Sequence, residues 1–188
     1  EFAIFGGSIT IPPVIFGILT VVLVWVSINV TNCSDGVDGL SGTLSIISLL
    51  TLYIIMKLAG TDMEFGYFVL LFVTCILGYL WFNATPSILM MGDAGSRAMG
   101  LVIAIAALKC RSPFLYLLAA LVLILDGGLG LVKVALLRFL KIKILANTRT
   151  PLHDHVRKVW NWSNTQAVYR FAIIQIVISV AVVYLYML

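Results

Sequence analysis

Long apolar runs separated by short polar stretches repeat along the whole chain. About 20 apolar residues suffice to cross a bilayer as a helix, so the pattern predicts six spans, at about 9–30, 40–59, 65–83, 95–109, 113–137 and 167–188. Each span should be helical, because lipid offers no water to unpaired backbone groups. The sequence therefore predicts an all-α fold, a polytopic transmembrane helix bundle, with residues 1–188 as a single integral membrane domain.

The fifth apolar run is interrupted by polar and small residues. Its middle reads LDGGLGLVK, which places Asp126 and Lys133 about two helical turns apart on one face, with three glycines between them. We expect a bend or break here. Charged groups inside a membrane segment are costly and need a partner or a function, so Asp126 is predicted to be paired within the bundle, with a proton relay as the alternative.

Composition and charge agree with this topology. Hydrophobic residues make up 62% of the chain and charged residues 11%, and no N-terminal signal peptide explains apolar runs along the whole length. Six spans would place the loops 31–39, 84–94 and 138–166 on one face and 60–64 and 110–112 on the other. Most Lys and Arg residues lie near the first face, which the positive-inside rule makes cytoplasmic. Two acidic loops and a His-containing loop are thus predicted to meet there.

The first polar stretch is NVTNCSDGVDGLSG, residues 29–42. Asp35 and Asp38 are three residues apart and would share one face if the second helix started early. Gly36 and Gly39 would let the backbone approach a ligand closely. The alternative interpretation is a helix cap by Ser34 or Asp35, which explains one carboxylate but not a pair at the membrane boundary.

The second polar stretch is WFNATPSILMMGDAGSRAMG, residues 81–100. Asp93 is expected just before a helix that begins near Gly95, where helix amides favour anions. A phosphate with Mg²⁺ bridging it to the carboxylate suits such a place. The alternative is an N-cap formed by Asp93 with Ser96.

The third polar stretch is the basic loop RFLKIKILANTRTPLHDHVRKVW, residues 138–160, in which His153 and His155 flank Asp154. Zinc is not favoured, because the loop offers two imidazoles and no thiolate. An orientation signal that touches anionic lipid would account for the Lys and Arg residues but not for the histidines. Cationic and hydrogen-bonding groups here could meet a diphosphate held by the acidic loops.

These three stretches together resemble a known family, the polyprenyl-phosphate N-acetylhexosamine 1-phosphate transferases. NCSDGVDGL is similar to its N-x-x-D-G-x-D-G-L motif, and FNATPSILMMGDAGS is similar to its F-N … M-G-D-x-G-S motif. TPLHDHVRK resembles the P-[LI]-H-H-H-x-E loop of the muramoyl branch. The resemblance covers nearly the whole chain and corresponds to the last six of ten helices, so we expect the C-terminal part of a longer transferase.

The resemblance implies Mg²⁺-dependent transfer of phospho-N-acetylmuramoyl-pentapeptide from UDP to undecaprenyl phosphate, giving lipid I and UMP for peptidoglycan synthesis. Asp93 would be a catalytic residue and the magnesium ligand, and His153 and His155 would serve the pyrophosphate. The substrate-binding residues would be Asn32, Asp35, Gly36, Val37, Asp38, Asn83, Met90 and Ser96.

The same resemblance implies a setting and partners. The protein would cross the bacterial inner membrane several times, with its active site on the cytoplasmic face. UDP-N-acetylmuramoyl-pentapeptide and undecaprenyl phosphate would be its substrates. A homodimer, contact with membrane lipids and sensitivity to nucleoside antibiotics of the tunicamycin type are also implied, and no nucleic-acid partner is expected.

Three departures from the family pattern leave alternatives open. The D-D-x-x-K motif is not in this sequence and is expected upstream of Glu1; Met90 stands where Phe is usual; and Asp154 replaces the middle His. One alternative is a sister transferase that moves N-acetylglucosamine 1-phosphate to a polyprenyl phosphate. The other, from a different class, is a transporter using Asp126 and Lys133 at the broken helix.

Overall fold

The computed structural model describes residues 2–4, 7–9, 11–111 and 113–187. The five long helices are α1 Pro13–Cys33, α2 Leu40–Ala59, α3 Met63–Asn83, α4 Gly92–Lys109 and α9 Asn164–Met187. The short helices are α5 Leu115–Ala119, α6 Leu121–Leu123, α7 Leu129–Ala135 and α8 Leu152–Lys158, with π-helical turns at Ile124–Gly128 and Leu136–Leu140. Two three-residue strands, β1 Phe2–Ile4 and β2 Gly7–Ile9, pair antiparallel.

The predicted all-α membrane bundle is confirmed, with four helices long and apolar enough to cross a membrane in the described part of the chain: α1, α2, α3 and α9. Helix α4 is less suited to lipid because it carries Asp93, Arg97 and Lys109. The fifth run is divided into short helical pieces. The count of six crossings therefore stays a prediction. Residues 10, 112 and 188, which fall in the first and last predicted spans and the predicted loop 110–112, lie outside the described residues.

The boundaries of the long helices follow local sequence. Helix α2 has the bounds predicted for the second span, whereas α1 begins at Pro13 rather than near residue 9. Proline fits the first turn of a helix because the amide it lacks would have no partner there. Helix α3 begins after Asp62, whose carboxylate accepts a hydrogen bond from the Phe65 amide at 3.0 Å.

The predicted break in the fifth run is confirmed. A π-helical turn at Ile124–Gly128 contains Asp126 and turns it to the interior, where it is completely buried. Gly127 faces α1 so closely that a Cβ at this position would lie 2.2 Å from the Val30 carbonyl oxygen. Only glycine allows this approach, which seats the broken segment against α1.

Helix α2 lies at the centre of the bundle, in contact with α3, α4 and α9. Polar side chains join the helices, as is common where lipid cannot drive helices together. The Thr51 hydroxyl donates to Ser179 Oγ at 2.8 Å, and Gln175 Nε2 donates to the Ala119 carbonyl at 3.0 Å. Large apolar side chains on α1, α3 and α9 point outward, as a lipid-facing surface requires.

Different residues meet at the two ends of the bundle. At one end, Lys109 at the end of α4 pairs with Asp62 at the start of α3. At the other end, the turn between α1 and α2 meets the ends of α3 and α4 and the helix α8. The predicted convergence of the two acidic loops and the His-containing loop is therefore confirmed.

Candidate active site

The turn of residues 34–39, between α1 and α2, is the centre of the candidate site. Its groups reach three different segments: Asp35 accepts a hydrogen bond from Ser41, Gly36 lies against His153, and Asp38 accepts one from the Ser87 amide at 3.4 Å. The prediction that Asp35 and Asp38 share a helix face is wrong, because α2 begins only at Leu40.

The cap interpretation for this turn is also wrong. The N-cap of α2 is Gly39, with a φ of 82° and no capping side chain. Ser34 Oγ instead donates to the Leu123 carbonyl at 3.4 Å, which ties the turn to the broken fifth run. Ser34 and Asp38 therefore make tertiary contacts, whereas Asp35 contacts Ser41 in the first turn of α2.

Charges around the turn act on Asp35. Burial raises the pKa of its carboxyl group, and the hydrogen bond from Ser41 opposes that shift. The carboxylates of Asp93 and Asp38 raise the pKa further, whereas His153 lowers it. Asp93 and Asp38 are thus each close enough to repel Asp35, an arrangement that a bound cation would stabilise.

Asp93 lies at the surface beside the turn, and this exposed position at the start of α4 is the Asp93 corner. Asn32 Nδ2 donates to Asp93 Oδ1 at 3.2 Å and to Ser96 Oγ at 2.9 Å, which joins α1 to α4. The side chain of Asp93 is 77% exposed, and its ion pair with Arg97, at 3.1 Å, is also exposed. An exposed pair of this kind holds a carboxylate only weakly, so Asp93 is free to bind a ligand.

The expected start of α4 near Gly95 is wrong, since the helix begins at Gly92 and Asp93 lies in its first turn. The N-cap alternative for Asp93 is wrong as well. The N-cap position is Met91, and no side chain caps this end. Ser96 is buried and donates to the Gly92 carbonyl at 3.1 Å, so its role here is to hold Asn32 and the helix start together.

Asn83 organises the loop that leads to Asp93. Its Oδ1 accepts from the Gly39 amide at 2.8 Å, and its Nδ2 donates to the Leu89 carbonyl at 2.8 Å and to Ser87 Oγ at 3.0 Å. The amide is buried and used within the protein. Met90, the other predicted substrate contact in this loop, is 86% exposed.

His153 and Asp126 form a buried pair beside the turn. Asp126 Oδ1 accepts from the His153 backbone amide at 2.7 Å, and Asp126 Oδ2 lies 2.8 Å from His153 Nδ1. The other ring nitrogen, Nε2, faces Gly36, where an added Cβ would be only 2.4 Å away. The prediction that Asp126 is paired is confirmed, but sequence reasoning missed the partner, because no local pattern connects residues 27 apart.

The other predicted site residues are placed less centrally. His155 Nδ1 accepts from the Arg149 amide at 3.2 Å, and its ring meets the edge of Trp160. These contacts are within its own segment rather than with the 34–39 turn. The side chain of Val37 is 5% exposed and belongs to the hydrophobic core, so only its backbone is available to a ligand.

The donor set fits magnesium bound together with a phosphate. In the described ranges, no group of three or more His, Cys, Asp or Glu side chains could hold a metal by itself. Magnesium needs only one or two protein carboxylates, because it keeps waters and phosphate oxygens as its other ligands. Asp93, exposed and close to the Asp35 carboxylate, meets that need.

Comparisons with known proteins agree with these features. The model of glycosyl transferase family 4 matches residues 1–111. Phospho-N-acetylmuramoyl-pentapeptide-transferase of Treponema pallidum (strain Nichols) is 42% identical over 189 residues, covering 93% of this chain and 52% of the relative. The protein of the same name from Borrelia hermsii is 33% identical over 167 residues, covering 81% and 46%. The chain spans about half the length of the curated relatives it matches.

Proposed function

Because the chain belongs to glycosyl transferase family 4, we propose that it carries the nucleotide and phosphate site of an enzyme of peptidoglycan synthesis. The enzyme would transfer phospho-N-acetylmuramoyl-pentapeptide from UDP to undecaprenyl phosphate, giving lipid I and UMP. The name of the similar proteins from Treponema and Borrelia, phospho-N-acetylmuramoyl-pentapeptide-transferase, supports this substrate. The observation that carries the proposal is the meeting of Asp35, Asp93 and His153 at one end of the bundle.

Each group would act on a different part of the substrate. Asp35 and Asp38 would hold the uridine side of the nucleotide at the 34–39 turn. His153, a buried side chain whose Nε2 lies against Gly36 of this turn, would serve the diphosphate. Asn32 would orient Asp93, with which it already shares a hydrogen bond.

Magnesium would be held by Asp93 together with phosphate oxygens. When bound, it would neutralise charge on the diphosphate and favour release of UMP. The Asp93 carboxylate is accessible and lies near that of Asp35, and this supports a cation at this corner. Without a cation, an anionic diphosphate would be repelled by the three carboxylates.

The lipid substrate would arrive from the membrane side. Ile88, Leu89 and Met90 are exposed apolar residues directly before α4, so apolar surface adjoins the Asp93 corner. An oxygen of the lipid phosphate would attack the sugar-linked phosphorus, and the bond from that phosphorus to UMP would break. We place this reaction on the cytoplasmic face of the bacterial inner membrane, where most Lys and Arg residues are predicted. The homodimer and the nucleoside-antibiotic site stay predictions.

The transporter alternative gains no support from the contacts of its two residues. Asp126 is engaged by His153. Lys133 Nζ donates to the carbonyls of Leu145 at 3.0 Å and Thr148 at 2.8 Å. In the described part of the chain, no ion pair joins Asp126 to Lys133, so neither is left as a binding group for a transported ion.

The test measures UMP release by the full-length protein in detergent, with undecaprenyl phosphate, MgCl₂ and UDP-N-acetylmuramoyl-pentapeptide. We expect release that stops with EDTA and returns when Mg²⁺ is added in excess. UDP-N-acetylglucosamine, tested in parallel, should give none. Release from that sugar alone would assign the protein to the sister transferases, and no release from either would contradict the proposal.

A further inference from the structure

Both carboxylate oxygens of the buried Asp126 contact the same residue, His153. Oδ1 accepts from the backbone amide and Oδ2 lies 2.8 Å from Nδ1 of the ring. Asp126 is 0% exposed and His153 is 3% exposed. One oxygen holds the backbone of His153 and the other lies against its ring, so the ring orientation is determined, because turning the ring would break a buried hydrogen bond.

The same contact decides which ring nitrogen carries hydrogen. With Asp126 ionised, its oxygens can only accept hydrogen bonds, so Nδ1 would be the donor in this pair. Nε2 is then left facing Gly36 in the 34–39 turn. In the Asp–His part of a catalytic triad, a carboxylate placed in this way orients the imidazole and stabilises its charged form during the reaction.

The surrounding fold explains how a carboxylate reaches this point. Asp126 lies in the π-helical turn Ile124–Gly128, and such turns are frequent at functional sites because they redirect a side chain. Gly127 allows that turn to sit against α1. Helix α8 begins at Leu152, so the backbone amide of His153 is one of the unpaired donors of a helix start.

From this geometry we propose that Asp126 is a positioning residue for His153. It holds the ring with hydrogen on Nδ1 and supplies the negative charge that lets Nε2 carry a proton toward a phosphate oxygen bound over the 34–39 turn. This inference rests on the proposed function for the identity of the phosphate. Asp126 touches no reacting atom and acts only through the imidazole.

The informative variant is Asp126→Asn, which keeps the size of the side chain and one acceptor for the His153 amide. Its NH₂ group would face Nδ1, so the ring hydrogen would move to Nε2 and the counter-charge would be lost. We expect kcat to fall about 100-fold or more, with KM for the UDP-linked substrate within a few-fold of the wild type. A matched control is Asp154→Asn, since Asp154 pairs with Lys158 and Arg157 on α8. It should keep kcat within a few-fold.

Combining variants tests whether Asp126 acts through His153. Asp126→Asn should add no further loss in a His153→Ala background, because the group it positions is already gone. If the two losses multiply, Asp126 has a separate role and the inference is overturned.

A readout that needs no turnover separates this inference from the proposed function. The full-length protein with ¹⁵N-labelled histidine, assigned by comparison with His153→Ala, should show hydrogen on Nδ1 of His153, and in Asp126→Asn hydrogen on Nε2 alone. Hydrogen on Nε2 alone in the wild type, or no change in the variant, would overturn the positioning role. Absence of UMP release from both UDP-sugars would instead contradict the proposed function. The NMR spectrum would then still show whether Asp126 determines which nitrogen of His153 carries hydrogen.

Discussion

Asp93 and Asp126 are two carboxylates at the same end of the bundle with opposite surroundings. The Asp93 side chain is 77% exposed, and its partners are one amide and an exposed Arg. Asp126 is completely buried, and both of its oxygens are occupied by His153. An exposed carboxylate remains available to a ligand or metal, whereas a buried and satisfied one determines the place of its partner.

This difference assigns separate tasks to two charged groups that look alike in sequence. Asp93 lies in the first turn of α4, at a helix end that opens to the surface. Asp126 lies in a π-helical turn inside the bundle. Substitutions at the open corner should therefore change chemistry more than stability, and substitutions around the buried pair should change both.

The largest expected effect is that of Asp93→Asn on turnover. If Asp93 holds magnesium as proposed, its loss removes several kcal/mol of transition-state stabilisation, so UMP release should fall by about 100-fold or more. The free energy of unfolding should stay within about 0.5 kcal/mol of the wild type, because the side chain is exposed. The measurements are UMP release over a range of Mg²⁺ concentrations and thermal unfolding in detergent. Turnover like that of the wild type would exclude Asp93 as the metal ligand.

The control for this variant is Asp62→Asn at the opposite end of the bundle. Asp62 caps α3 through the Phe65 amide and pairs with Lys109, and Asn retains an oxygen for the cap. UMP release should therefore be unchanged. A similar loss in both variants would show that the effect of Asp93→Asn is not specific to its corner.

A smaller effect is expected from Gly36→Ala. Gly36 lies in the 34–39 turn, against the ring of His153 from the buried pair. The added methyl group would lie 2.4 Å from His153 Nε2, so the ring or the turn must shift, at a cost of about 1–3 kcal/mol. Turnover should fall by about tenfold, a loss of about 1.4 kcal/mol in transition-state stabilisation. Gly78→Ala in α3, where an added Cβ meets nothing within 4 Å, should leave turnover and unfolding temperature unchanged. If both variants behave alike, the close approach of His153 to the turn is wrong.

The smallest effect is a pH-dependent one at Asp35. Ser41→Ala removes the hydroxyl that donates to this carboxylate, so its pKa, already raised from 3.8 mainly by burial, should rise further. Because the pKa of Asp35 is higher in the folded state than in the unfolded state, its contribution to the free energy of unfolding is intact below about pH 3.8. That contribution is lost as the pH rises through the folded-state pKa. The variant should therefore lose about 1 kcal/mol near pH 7.5 and less near pH 4.

Thermal unfolding at the two pH values measures this difference. Ser45→Ala, one helical turn further along α2, is the matched control, because the Ser45 hydroxyl is buried without a hydrogen-bond partner in the described residues. Its effect should not depend on pH. An equal loss at both pH values in Ser41→Ala would contradict the role of the hydroxyl in opposing the pKa shift of Asp35.

Much of the fold was determined by the sequence alone, because the length of an apolar run and the residues at its ends are local properties. The bounds of α2 and the break at Asp126 were predicted from neighbouring residues. The meeting of three polar stretches at one end also followed, since membrane helices alternate direction. The alternating loops left few other arrangements for the two acidic loops and the histidines.

Only the tertiary structure decided which atoms meet. The hydrogen bond from the Gly39 amide to Asn83 could not be read from the sequence, and the part of Asn83 in substrate binding stays a prediction. Asp126 was weighed with Lys133, whereas its partner is His153. Hydrophobic periodicity places a residue in a segment but carries no information about contacts between segments. Those depend on how closely the helices pack, and here the close approaches at Gly36 and Gly127 bring His153 and Asp126 together.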